Sequence, residues 1–272
     1  GFAGSALGGN VNTMEPTLDG AYFRRGIGKT HGMGFHLFAR YLAGYGGKVP
    51  PPYSRYYMGG ENDIRGFDIW SISPAAYIPT QATVQVYNRD GSARVQQVIQ
   101  DGVVTTAPVT MSVPAYQTIF PGGDTSVVFN YEYRIPIFGP VALAPFFDVG
   151  MNRITRASQL GLNQDRVNQL NAIFPQSDFR ARAIIAGATQ AIRSSTGLEL
   201  QVIMPVVNAP FRLYWAYNPN IVRTYIQPPI AAGPSYFPND VTYQNAIPNI
   251  AIGSGPYVEK RSTFRFSIGR TF

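Results

Sequence analysis

Residues 125–150, TSVVFNYEYRIPIFGPVALAPFFDVG, contain two segments of alternating character separated by only Phe-Gly-Pro. In both segments, every second residue is apolar or aromatic. In the first segment these residues are Val127, Phe129, Tyr131, Tyr133, Ile135 and Ile137. The positions between them include Asn130, Glu132 and, in the second segment, Asp148. Because successive side chains of a strand point to opposite faces, the stretch predicts two antiparallel strands joined by a tight turn.

The same period-two alternation recurs along the chain, whereas helical periodicity is scarce. The fold is therefore predicted to be all-β, with antiparallel neighbours and about eight strands. These strands are expected near residues 2–9, 16–24, 33–45, 125–137, 141–150, 191–204, 211–219 and 263–272.

The two faces of these strands differ in chemistry. Aromatic and aliphatic residues occupy one face, and Arg, Glu, Asp and Gln occur on the other. A soluble sandwich would bury its apolar face in a core. A transmembrane barrel turns its apolar face to lipid and its polar face to a lumen, and strands of ~9–11 residues suit a tilted crossing. The abundance of aromatic residues favours the antiparallel transmembrane β-barrel over the sandwich.

The connections between the predicted strands fall into two length classes. Residues 138–140 and 205–210 are short connections, whereas residues 46–124, 151–190 and 220–262 are long ones. In an antiparallel sheet this order places the long connections on one side, as in outer-membrane barrels. We therefore interpret residues 1–272 as part of one barrel domain with long external loops.

The long loops differ in the structure that their sequences predict. The first is predicted to carry an extra hairpin meander near residues 80–115, with turns at Asp90-Gly91 and Asp101-Gly102. The second is predicted to contain a short helix capped by Asn163 or Asp165. The third is rich in Pro, Asn and Tyr and is predicted to be an ordered or semi-ordered loop.

Composition argues against several classes of site. The chain has no Cys and only two His, which disfavours disulfides and metal sites. Lys and Arg are scattered, so the net charge of +7 fits a solvated surface or anionic lipid better than nucleic acid. No apolar run approaches the ~20 residues of a membrane helix. No GxSxG motif accompanies His31 and His36, so we expect neither enzymatic activity nor a cofactor.

Three stretches carry a family resemblance. The segment YSRYYMGGENDIRGFD, residues 53–68, followed by SISP, resembles the conserved loop of BamA-type outer-membrane assembly barrels. That superfamily also includes TamA and the two-partner-secretion transporters. EYRIP and FFDVG resemble the two strands that follow this loop in the family, and TFRFSIGRTF, residues 263–272, resembles its final strand. The resemblance covers most of the chain.

The resemblance implies a structural latch rather than a catalytic group. In the family, the loop folds into the lumen and its arginine pairs with acidic residues on the two following strands. Carried onto this sequence, the latch comprises Ile64, Arg65, Gly66 and Phe67, and its acceptors are Glu132 and Asp148. The alternation places both acids on the inward face independently of the family. A buried guanidinium requires carboxylates to offset its desolvation.

The resemblance also implies a larger barrel. Family members have sixteen strands preceded by periplasmic POTRA repeats, so we expect this chain to be the C-terminal half of such a barrel. A pair of half-barrels and a small independent barrel are the alternatives. The final strand would form one side of a lateral seam and carry the terminal recognition signal, with Phe264, Phe266, Ile268, Gly269 and Phe272.

The implied function is the assembly and insertion of β-barrel proteins into the outer membrane of a diderm bacterium. The expected partners are outer-membrane lipid, unfolded β-barrel clients, accessory lipoproteins and POTRA repeats. A secretion or translocation pore of the same superfamily is the alternative, and a passive porin or surface receptor is a third.

Overall fold

The computed structural model describes residues 1–3, 11–100, 102–204 and 209–268. Antiparallel strands dominate these residues, which confirms the predicted all-β class. The strands are β1 (Phe2–Ala3), β2 (Thr13–Met14), β3 (Thr17–Arg25), β4 (Gly32–Tyr41), β5 (Ala43–Gly44), β6 (Ala75–Gln85), β7 (Val95–Gln100), β8 (Val103–Pro108), β9 (Thr110–Ile119), β10 (Thr125–Phe138), β11 (Val141–Arg153), β12 (Ile184–Ala186), β13 (Arg193–Met204), β14 (Ala209–Asn220), β15 (Arg223–Ile226), β16 (Ala251–Ile252), β17 (Gly255–Val258) and β18 (Ser262–Ile268).

Helices are few among the described residues. The α-helices are α1 (Gln164–Ile173) and α2 (Asp240–Ile250). Single 3-10 turns occur at Pro52–Ser54, Ala157–Leu160, Pro175–Ser177, Gly187–Gln190 and Pro234–Tyr236. Within the described part of the chain, neither α-helix has the length and apolar character that a membrane crossing requires.

The main element is a seven-stranded sheet in the order β3-β4-β10-β11-β13-β14-β18. Every neighbouring pair in it is antiparallel. Its strands follow chain order, so the three long connections all leave the same end of the sheet. The short connections lie at the opposite end, as the loop lengths predicted.

The sheet has one polar, covered face and one apolar, open face. Along β10 the residues Ser126, Val128, Asn130 and Glu132 are buried, and the residues between them are not. The open face carries exposed apolar and aromatic side chains, among them Leu18, Tyr22, Leu37, Phe147, Leu198, Leu200, Trp215, Phe264 and Phe266. This is the distribution that a lipid-facing outer surface requires.

The described start of the first predicted strand does not join this sheet. Phe2–Ala3 pairs with β2, and β2 pairs with β5, in a separate three-stranded sheet. Residues 4–9 of the predicted strand lie outside the described residues. Among the described strands, the outer members β3 and β18 therefore each have one neighbour, and the sheet is open.

The external connections fold into a cap, which we define as β6, β9, β12 and β16 with α1 and α2. Its sheet has the order β12-β6-β9-β16. Val84 and Val113 of this sheet pack against Ala246 and Ile250 of α2. The predicted meander at residues 80–115 is present in part. β7 pairs with β8, with Gln100 opposite Val103, and Tyr87 pairs with Ala93 around the predicted turn at Asp90-Gly91. The pairing of β6 with β9, which encloses these turns and places the apolar residues of both strands on one buried face, was not predicted.

The helix predictions had two outcomes. The predicted short helix is confirmed as α1, and Asn163 caps it by accepting a hydrogen bond from the Arg166 N–H group at 3.0 Å. The loop prediction for residues 220–262 did not include α2, which lies in this segment. Asn239 caps α2 by accepting from the Thr242 N–H group at 2.8 Å. Pro248 lies inside this helix and obscured the helical pattern in the sequence.

Candidate functional site

Residues 55–74 form an inward loop that lies on the polar face of the main sheet. Its two ends are held together by paired backbone hydrogen bonds between Met58 and Ile72, with N···O distances of 3.1 and 2.9 Å. A turn at its tip is closed by the Phe67 N–H group, which donates to the Ile64 carbonyl oxygen at 3.1 Å. Gly59 has a φ of +112°, a backbone conformation that favours glycine.

An apolar cluster attaches the inward loop to the sheet. Met58, Ile64, Phe67 and Ile72 of the loop pack together with Val128 of β10, and all five are almost completely buried. Full burial of a side chain of this size contributes roughly 1.5–3 kcal/mol. The loop is therefore held by a small core of its own as well as by polar contacts.

Arg65 lies at the centre of the polar contacts and is fully buried. Its Nε and Nη2 atoms donate to the two carboxylate oxygens of Asp148 at 2.9 and 2.8 Å, which is a bidentate ion pair. The Nη1 atom donates to Glu132 at 2.9 Å and to Glu199 at 3.3 Å. The guanidinium carbon also lies 3.7 Å from the centre of the Phe146 ring. Burial lowers the pKa of Arg65, but the carboxylates of Asp148, Glu132 and Glu199 together outweigh this effect and hold that pKa above its ordinary value.

Two further arginines balance the three buried carboxylates. Arg212 of β14 donates to both oxygens of Glu199, at 2.5 and 2.7 Å. Arg134 of β10 donates to Glu132 at 2.5 Å. The cluster thus contains three positive and three negative groups, since Arg65 supplies the third positive charge. This balance offsets the desolvation that would otherwise destabilise buried carboxylates.

Asparagine side chains bind the backbone of the inward loop. Asn130 of β10 donates to the Asp63 carbonyl oxygen at 2.6 Å and to Asp148 at 2.9 Å. Asn152 of β11 donates to the carbonyl oxygens of Tyr56 and Ile72 at 2.7 and 3.0 Å. These contacts fix the base of the loop as well as its tip.

Gly66 lies where no side chain fits. A Cβ atom at this position would lie 1.7 Å from Asn218 Oδ1 and 2.6 Å from Ser195 Oγ. The Gly66 carbonyl oxygen accepts hydrogen bonds from Asn218 Nδ2 at 2.8 Å and from Thr263 Oγ1 at 2.9 Å. Glycine therefore allows the loop tip to approach β14 and β18 closely.

The structure brings together the residues expected at the inward loop and its acceptors. Ile64, Arg65, Gly66 and Phe67 all contact the inner side of the sheet. The sequence interpretation did not select Glu199, Arg212, Asn218 or Thr263. Glu199 and Arg212 each lie between two apolar residues of an alternating segment, and this alternation was the available signal in the sequence.

The residues expected at the seam lie apart from this cluster. Phe264, Phe266 and Ile268 of β18 are exposed on the apolar face, at 67%, 70% and 62%. Gly269 and Phe272 lie outside the described residues. Across the described ranges, no group of three or more His, Asp and Glu side chains is arranged to hold a metal ion.

Comparisons with known proteins give a family and a fold. A sequence model described as the Omp85 superfamily domain matches residues 1–272. A similar solved structure is BamA from Haemophilus ducreyi lacking POTRA domains 1-3, with 16% sequence identity and a TM-score of 0.43. The match covers 94% of this chain and 37% of that chain, so this chain spans little more than a third of that structure. No curated protein gives a significant match.

Proposed function

This chain belongs to the Omp85 superfamily, and from that premise we propose that it assembles and inserts β-barrel proteins into the outer membrane of a diderm bacterium. The observation that carries the proposal is the inward loop, whose Arg65 is buried among Glu132, Asp148 and Glu199 on the polar face of a sheet with an apolar outer face. A sheet of this kind suits a membrane barrel whose lumen holds a fixed loop.

The proposed mechanism uses the open edge of β18. Within the described part of the sheet, β18 pairs only with β14, so its other edge is available to an incoming strand. An exposed edge presents unpaired backbone N–H and C=O groups, which can template a client strand by β-augmentation. In a sixteen-strand barrel the other side of this seam would be the first strand. Gly269 would weaken packing near the end of β18 and help the seam to part.

In this mechanism the inward loop keeps the barrel wall rigid while the seam opens. The Arg65 ion pairs join three neighbouring strands, β10, β11 and β13, through one guanidinium group. We propose this joining role, a latch, for Ile64, Arg65, Gly66 and Phe67. The step needs no nucleotide or metal, because a client gains free energy when its apolar strands enter lipid.

Client folding in lipid vesicles tests the proposal. The complete native polypeptide would be reconstituted in vesicles of outer-membrane lipid and mixed with a urea-unfolded β-barrel client. We expect the client to reach its heat-resistant, protease-protected form faster than in empty vesicles. Steady ion conductance without faster folding would instead identify a porin. Delivery of an intact client into the vesicle lumen would identify a secretion pore.

The extent of the native polypeptide is a separate test. We propose that residues 1–272 form the C-terminal part of one sixteen-strand barrel, with POTRA repeats and accessory lipoproteins as partners. The intact mass of the endogenous protein, with its terminal peptides mapped, should then clearly exceed the 29.8 kDa of this chain. A mass equal to 29.8 kDa would favour paired half-barrels or a small barrel.

A further inference from the structure

We propose that the inward loop also positions the last strand of the sheet, through a second set of contacts centred on Asp68 and the Gly66 carbonyl group. Asp68 forms an ion pair with Arg265 of β18 and a second one with Lys260 at 3.1 Å. The Gly66 carbonyl oxygen accepts from Thr263 of β18 at 2.9 Å. In this role Asp68 is a positioning residue for β18.

This second contact set is distinct from the Arg65 ion pairs. The acceptors of Arg65 lie on β10, β11 and β13. The partners of Gly66 and Asp68 lie on β14, on β18 and in the segment just before β18. Asn218 connects that segment to the loop, because its Nδ2 atom donates to both Gly66 and Lys260 carbonyl oxygens, at 2.8 and 2.9 Å.

The two contact sets differ in exposure, and therefore in strength. Arg65 and its three carboxylates are fully buried. Asp68, Arg265 and Lys260 have 44%, 26% and 68% of their side chains exposed. Solvent-exposed ion pairs are weak and are screened by salt, whereas breaking a buried pair is strongly unfavourable. The Asp68 contacts can therefore open while the Arg65 ion pairs keep the loop in place.

The position of β18 makes this difference important. In the described sheet, β18 has a strand neighbour on one side only, so contacts from the inward loop are a second source of order for it. Loss of the Asp68 contacts should increase local separation of β18 from β14. The contacts of Asp68 with β18 do not depend on the proposed function. Only their biological role rests on it, namely that they set how readily the seam opens.

Hydrogen exchange of the backbone amides tests the inference in the complete protein. In Asp68→Asn and in Arg265→Gln, amides of residues 262–268 should exchange about two- to fivefold faster. The double variant should exchange no faster than Asp68→Asn alone, because Asp68→Asn already removes the pairs with both Arg265 and Lys260. Amides of β10 and β11 should be unchanged, since the Arg65 ion pairs remain.

Asp178→Asn is the matched control, because it removes an exposed carboxylate in the connection between α1 and β12, far from β18 in the sequence. Unchanged exchange of β18 in both Asp68→Asn and Arg265→Gln would overturn the inference. Equal acceleration in β10 and β11, or in the control, would also overturn it. The two proposals can fail separately. If the variants show faster exchange in β18 but the native protein does not accelerate client folding in vesicles, the proposed function is rejected and the positioning role of Asp68 stands.

Discussion

Arg65 supplies the one positive charge that contacts each of the three carboxylates in its cluster, Glu132, Asp148 and Glu199. In Arg65→Ala these carboxylates lose that charge but stay buried. We expect a loss of about 3–5 kcal/mol in the free energy of unfolding, the usual effect of removing one partner of a buried ion pair. The measurement is the thermal unfolding transition in detergent, with protease sensitivity of residues 55–74 as a second readout.

Two further variants show whether that loss arises from the ion pairs. Arg65→Lys keeps the positive charge but lacks the planar guanidinium group that binds both oxygens of Asp148. Its free energy of unfolding should therefore lie between those of the wild type and of Arg65→Ala. Arg89→Ala removes an exposed arginine in the connection between β6 and β7 and should change stability by less than about 0.5 kcal/mol. An alanine variant at position 65 that is as stable as the Arg89 control would contradict the proposed latch.

Asp63 gives the inward loop a dependence on pH. Burial raises the pKa of its carboxyl group above the ordinary 3.8, although a hydrogen bond from the Gly59 N–H group opposes the shift. A raised pKa means that the folded loop favours the protonated acid. The stability contributed by this group is therefore complete below pH 3.8 and is lost as the pH rises through the raised pKa.

Asp63→Asn should remove this dependence, because an amide stays neutral and its oxygen can still accept from Gly59. We expect the variant to be more stable than wild type at neutral pH, with a difference that shrinks on acidification toward pH 3.8. The midpoint of thermal unfolding, measured for both proteins across this range, is the test. A difference independent of pH, or one that grows on acidification, would count against this assignment.

The residues around Arg65 show how far the sequence could predict the site. Alternation alone placed Glu132 and Asp148 on one face, and the family resemblance selected Arg65. Glu199 also lay on the inward face, but it is 134 positions from Arg65. The pairing of these two residues depends on the tertiary position of β13. Thr263 was missed because it donates to the backbone carbonyl group of Gly66. Every residue has such a group, so the sequence does not mark this partner.

The hairpin of β7 and β8 forms a two-stranded sheet of its own in the described structure. Val95, Ile99, Val103 and Val104 are 55–77% exposed. At its base, the Val109 N–H group donates to the Arg94 carbonyl oxygen at 2.8 Å, so the flanking residues are already paired. A short turn could therefore replace the hairpin.

Replacement of residues 95–108 by Asn-Gly should leave the main sheet and the cap intact. Asn-Gly favours the two-residue turn that joins antiparallel strands. We expect the free energy of unfolding to change by less than about 0.5 kcal/mol, as measured by thermal unfolding in detergent. A large loss of stability would show that the hairpin contributes to the cap, contrary to its exposure.

The sequence predicted elements well where they cross the main sheet and poorly where they build the cap. Strands of the main sheet are long and alternate strictly, since one face is apolar and the other polar. In the cap, β12 has three residues and β16 has two. Their existence depends on pairing with β6 and β9, which no local pattern records.

The apolar face of the seven-stranded sheet should contact lipid chains along its whole width. Trp215, which is 48% exposed, lies on this face beside Phe264, whereas Trp70 belongs to the inward loop. The chain has only these two tryptophans. In Trp70→Phe, which keeps Trp215, lipids with brominated acyl chains should strongly quench the fluorescence. In Trp215→Phe, the remaining Trp70 should be quenched much less.

Equal quenching of the two single-tryptophan variants would contradict this orientation of the sheet. The comparison is internally controlled, because both variants carry one Trp→Phe substitution and are reconstituted in the same vesicles. It also separates the barrel from the sandwich, since a soluble sandwich would show little quenching of either tryptophan.

The charge cluster under the inward loop has a consequence for the order of biogenesis. Arg65 is synthesised 67, 83 and 134 residues before Glu132, Asp148 and Glu199. It can become fully paired only after β10, β11 and β13 have aligned. A slip of one residue in any of these strands would turn its carboxylate to the lipid side. The arginine would then lack that partner, and a buried arginine with an incomplete set of carboxylates is unfavourable. Burial of Arg65 therefore favours the correct register of all three strands over the slipped ones.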